Sequence, residues 1–167
     1  MEQHEAMIKA RKVSEYVAAW SLWAFTSALG VLIGFWALRD AINSIAGAMT
    51  MGALQGTSAQ QFQVPFVRNA VDRFSVLVLG VLSVLLVVAV EHYYRTGVER
   101  GLLLKRWVLV TAIESGVLFV ALAIQAIYAG VLGLFTVWSV LVPCGVLAVT
   151  VALSWILTRM PKNPSPA

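Results

Sequence analysis

Four apolar runs, Val17–Leu38, Phe74–Val90, Trp107–Tyr128 and Leu132–Leu157, divide this chain, and only one charge, Glu114, falls inside them. A helix crosses a hydrocarbon core of ~30 Å in about 20 residues. The second run reaches that length by taking in Glu91, His92 and the tyrosines that follow. The runs predict an all-α fold: a polytopic membrane protein, a bundle of four transmembrane helices spanning about 17–38, 74–94, 107–128 and 132–157. Composition agrees. Of 167 residues, 60% are hydrophobic and 12% charged, about half the charged fraction of an average soluble domain.

The basic residues set the orientation. Lys9, Arg11 and Lys12 precede the first run; Arg95, Arg100, Lys105 and Arg106 separate the second from the third; Arg159 and Lys162 follow the fourth. Only Arg39, Arg68 and Arg73 fall on the opposite side, beside Asp40 and Asp72. The positive-inside rule then predicts a multi-pass cell-membrane protein with both termini in the cytoplasm. Read this way, the net charge of +4 reports topology and calls for no nucleic acid. Residues 1–16 are too long and polar to lead a cleavable signal, and Glu5 and Lys9 at i,i+4 support a cytoplasmic N-terminal helix. Residues 17–158 form the membrane domain. The 159–167 tail, with Pro161, Pro164 and Pro166, reads as disordered and cytoplasmic.

The connections carry further expectations. Residues 41–67 hold no charge, and Ile42, Ile45, Met49 and Ala53 recur at helical spacing, predicting a short amphipathic helix in the first outer loop. Pro65 suits a first helical position, with Arg68 and Asp72 pairing at i,i+4 just beyond. Thr96-x-x-Glu99 fits a capping box and predicts a third helix beginning near Gly97. Pro143 predicts a kink in the fourth span. Cys144, alone, excludes an internal disulfide.

Two kinds of residue inside the spans stand out. Ser27, Gly30, Gly34 and Ala37 make a small-residue stripe on the first span, and Ala112, Gly116 and Ala123 another on the third; such stripes let helices approach closely. The third span also carries a thin polar stripe. Glu114 lies eight residues beyond Arg106, ~12 Å at the helical rise, and Gln125 is eleven further on at nearly the same angle, with Leu118 and Ala121 between them. An ionised carboxyl in hydrocarbon is costly and usually faces the bundle interior, often on an ion or proton path. Glu114 is therefore expected to carry its proton or to face a cation. Glu91, His92 and Arg95, near the end of the second span, are its candidate partners.

No metal or cofactor is expected. His4 and His92 are the only histidines, and Glu91, His92 and Glu114 do not form the Glu-x-x-His pattern of di-iron bundles. Nor is an enzyme: Gly-x-Ser-x-Gly, Walker and His-Glu-x-x-His motifs are all missing. Few polar groups converge where a transporter gathers them. The sequence thus predicts a non-catalytic integral membrane subunit or scaffold, in contact with membrane lipids, that assembles as a homo-oligomer or with other membrane-protein subunits. The alternative is a small proton- or cation-coupled transporter or channel using Glu114.

Overall fold

A computed structural model describes the backbone of residues 2–54 and 56–160, and side chains over 13–51, 56–58 and 63–160. The Glu5–Lys9 pairing and the end of the proline-rich tail (161–167) lie outside the described side chains and residues. The described chain is helical throughout: α1 (Glu2–Leu32), a π-helical segment (Ile33–Leu38), α2 (Arg39–Leu54), α3 (Ser58–Glu99), α4 (Leu103–Val131) and α5 (Trp138–Arg159). Four stretches are long and apolar enough to cross a membrane: Val13–Met51, Gln63–Glu99, Leu103–Val131 and Trp138–Arg159.

The helix expected after the first span is present as α2, but nothing separates it from α1. Arg39, in helical conformation, donates its N–H to the Gly34 carbonyl five residues back, so one wide turn joins the two helices. α2 packs against both α3 and α4. Its junction with α3 is clamped by charge. Arg39 donates from Nε and Nη2 to the two oxygens of Asp72, at 2.7 and 2.8 Å, and Asn43 Nδ2 adds a third bond at 2.8 Å. Asp72 therefore takes Arg39 rather than Arg68, because a guanidinium fork presented across the helix pair satisfies both carboxylate oxygens at once.

Two turns close on glycine. After α3, Leu102 N–H bonds Gly97 O and Gly101 N–H bonds Val98 O, with Gly101 at φ +63°. After α4, Leu134 N–H bonds Ala129 O and Gly133 N–H bonds Gly130 O, with Gly133 at φ +71°. Both are Schellman closures, which need a residue free of the Cβ penalty in the left-handed region. The first corrects the expected capping box: Thr96 and Glu99 lie in the last turn of α3, where the Thr96 hydroxyl bonds back to the His92 and Tyr93 carbonyls, and the next helix starts at Leu103. A reciprocal cap appears instead before α5. Thr136 N–H donates to Ser139 Oγ at 3.1 Å and Ser139 N–H to Thr136 Oγ1 at 3.3 Å, so the fourth helix begins at Trp138 and not at 132. Pro65 likewise falls inside α3 rather than at its start.

The core is small. Ile33, Ala37 and Ala41 pack against Ala121, flanked by Leu29, Leu38, Leu118 and Ile124. Large apolar side chains such as Trp36, Leu85, Ile113 and Trp155 point outward, far beyond the exposed apolar area a water-soluble monomer carries. Among the described residues α5 is the least enclosed of the four long apolar helices: only 6% of its apolar window is buried within the chain, against 28% for α4, and α4 is the one helix it packs against.

The α2–α4 contact supplies a test. Gly47 is buried, and a Cβ there runs into the Tyr128 hydroxyl and lies 2.9 Å from the ring carbon behind it. Gly47→Ala is expected to destabilise the bundle by about 1–3 kcal/mol through overpacking, measured by unfolding in detergent. Unchanged stability would contradict the seating of Tyr128 on that notch.

Candidate functional site

Glu114 projects from α4 into the junction of three helices. A Cβ built on Gly30 of α1 lies 3.0 Å from its Oε1 and 3.0 Å from Leu86 Cδ2 of α3. The absent side chain at position 30 is thus what admits the carboxyl, which leaves the residue 6% exposed. The three helices that meet there carry other enclosed polar groups. Tyr94 of α3 is 1% exposed, and Thr26 and Ser27 of α1 are 0% and 6% exposed. Tyr94 comes within electrostatic range of the Glu114 carboxyl, with Thr26 beside its hydroxyl.

Satisfaction within this group is uneven. Thr26 Oγ1 donates back into its own helix, to Leu22 O at 2.9 Å and Trp23 O at 3.3 Å. Trp23 Nε1 crosses to Val87 O of α3 at 3.0 Å. Both Glu114 oxygens, Tyr94 Oη, Ser27 Oγ, Thr111 Oγ1 and Trp107 Nε1 are buried with no hydrogen-bond partner among the described residues. Trp107, Thr111 and Glu114 follow i, i+4, i+7 spacing and so share one face of α4. Buried polar atoms are satisfied in the great majority of cases, so several on adjoining helix faces mark where the chain departs from ordinary packing.

The remaining candidates separate into two groups. Gln125 joins the same seam: its Nε2 donates to the Ala37 carbonyl, in the π segment, at 2.9 Å. The small residues also meet partners in this chain. Gly34 faces Ser83 Oγ at 3.6 Å, Gly116 faces Thr150 Cγ2 of α5 at 3.7 Å, and Ser27 and Ala112 are buried. Glu91, His92 and Arg95 do not reach Glu114. Arg95 pairs with Glu91 at 3.7 Å along their own helix, and His92 is exposed.

Neither a protein-family model, nor a curated protein, nor a solved structure matches this chain. Its chemistry is read from its own geometry.

Sequence spacing groups Tyr94 with Glu91 and Arg95, but only Tyr94 turns into the bundle. Trp107 and Thr111 escape notice because both are common near the ends of apolar helices; their spacing from Glu114 is the signal that finds them. Thr26 has no such signal, since a hydroxyl bonded to its own helix looks like any other threonine.

Two substitutions separate the polar groups by role. Gln125→Leu removes the bond to Ala37 and is expected to cost about 0.6 kcal/mol and at most ~1.7 kcal/mol, measured by equilibrium unfolding in detergent. Glu114→Met is expected to be neutral or stabilising, because no protein partner is lost when a partnerless buried carboxyl is replaced by a thioether of similar length. A loss above ~1 kcal/mol for Glu114→Met would mean that the carboxyl makes a stabilising contact.

Proposed function

We propose that the protein is a non-catalytic integral membrane subunit, with both termini on the cytoplasmic side, that assembles with a second copy or with other membrane proteins through its fourth span. The observation that carries this reading is the open flank of α5. Among the described residues only α4, of the other helices, touches it, and Leu147, Val151 and Trp155, spaced by four, form an exposed apolar stripe along it. The small-residue stripes of α1 and α4 have neighbours inside the chain, so assembly falls to this outward face. Burying it against another helix offers the van der Waals packing that drives association in lipid.

A second reading is supported by the Glu114 cluster. A buried carboxyl within electrostatic range of a tyrosine, without a cationic side chain in salt-bridge range among the described residues, suits reversible protonation, as intramembrane carboxyls on proton paths do. In this reading Glu114 takes up and releases the proton, and Tyr94 supplies a hydroxyl to relay it.

Purification in mild detergent, with mass measurement and proton-flux assays in proteoliposomes, tests both. The assembly reading predicts a stable oligomer or co-purifying membrane partner and no flux. It further predicts that replacing Leu147, Val151 and Trp155 together by alanine weakens association by at least roughly tenfold, a loss of only ~1.4 kcal/mol. A lone monomer whose proton flux disappears in Glu114→Gln would overturn it in favour of the second reading.

A further inference from the structure

The end of the bundle that carries the α3–α4 turn has a cleft of about 400 Å³ between α3, α4 and α5, lined in part by Tyr93, Lys105, Arg106, Leu109, Leu157 and Thr158. We propose that this cleft binds the headgroup of an anionic phospholipid, with an acyl chain lying over Leu109 and Leu157. The inference rests on the membrane reading above, but not on whether the protein assembles or moves protons.

Arg106 is held in place before any ligand arrives. Its Nη1 donates to the Tyr93 carbonyl and to Thr96 Oγ1, and its guanidinium carbon sits 4.4 Å from the centroid of the Tyr93 ring. Its stem passes over Gly97, where a Cβ would come within 2.8 Å of Cδ. Those contacts use Nη1. They leave the Nε and Nη2 edge, the edge suited to two parallel bonds with a phosphate, without a protein partner among the described residues. Lys105 lies in the same cleft, half-buried and without an ion pair among the described residues. A fixed fork and a free ammonium therefore adjoin the leucines of the apolar floor.

That combination selects the ligand. Two cations call for an anion. An apolar floor continuous with the outer surface of the helices calls for an anion attached to hydrocarbon. Basic pockets between helices at the membrane surface meet both requirements with anionic lipid headgroups. The exposed Arg159, stacked 4.7 Å from the Trp155 ring centroid at the same end of α5 as Leu157, adds positive charge near the cleft.

Native mass spectrometry of the detergent-purified full chain, titrated with phosphatidylglycerol or phosphatidylcholine of matched acyl chains, tests this. Wild type is expected to retain one phosphatidylglycerol at least tenfold more tightly than phosphatidylcholine. Lys105→Gln, which breaks no ion pair among the described residues, is expected to reduce that preference about fivefold, as one basic group near an anionic surface contributes. Gly97→Ala, which pushes Arg106 off its seat, is expected to reduce it as well. Thermal unfolding of each variant confirms that it is folded. Equal retention of the two lipids, or an unchanged preference in folded Lys105→Gln, would overturn the proposal. Displacement of the lipid by millimolar inorganic phosphate would also overturn it, by showing a site for free phosphate. A chain that stays monodisperse without detergent and binds no vesicle of either lipid would instead refute the membrane reading beneath it.

Discussion

The close approach of α4 to α1 is the contact on which the bundle depends. It is possible because Gly30, with no side chain, lets the Glu114 carboxyl and Leu86 converge at one point. One end of this seam holds the carboxyl; the other holds Gln125, bonded to the Ala37 carbonyl; Ala121 and Leu118 pack between them against Ile33 and Ala37. The π segment falls within this seam. A wider helical turn redirects the side chains that follow it, and such turns occur often at functional positions. Here it precedes Arg39, which grips Asp72 of α3. One distorted turn is thus pinned by an amide on α4 and followed by a guanidinium clamp to α3.

The chain treats its polar groups in two different ways. At the α2–α3 junction each side-chain oxygen of Asp72 has a donor, so the ion pair orders the helices with neither carboxylate oxygen left unpartnered. On α1, α3 and α4 the opposite holds, and six buried polar atoms on five residues, Glu114 among them, lack protein partners among the described residues. Burying such groups unpaired costs free energy, which an apolar core would avoid. Local rules are most often broken where function requires it, and this imbalance is what keeps the proton-binding reading in contention beside assembly through α5.

Much of the architecture was legible because the apolar runs are long and clean. Four helices long and apolar enough to cross a membrane follow from hydrocarbon thickness alone. What composition hides is where helices stop. Thr96 and Glu99 carry a start signal, but Gly101 two residues later, in the left-handed region, makes the same stretch an ending. The sequence predicts a separate loop helix after the first span, yet Arg39–Leu54 holds no proline and, among the described residues, no left-handed glycine to interrupt it, so the helix runs on. For the site, the angular coincidence of Glu114 and Gln125 puts them on one side of α4, where the first meets Gly30 and the second the Ala37 carbonyl. Their neighbour was not legible, because the spacing of Glu114 from Arg95 or His92 along the sequence carries no information about which face of α3 turns inward.

The central claim is that the small residues of the first and third spans find their neighbours within one chain, leaving α5 as the least enclosed helix. Paired cysteines test it most directly. Ala37→Cys and Ala121→Cys, introduced together with Cys144→Ser, place two thiols in one buried cluster. Oxidation in the membrane, followed by proteolytic cleavage between α3 and α4, is predicted to leave the two fragments joined at the mass of a single chain until reductant is added. A covalent dimer, or fragments that separate without reductant, would contradict the account.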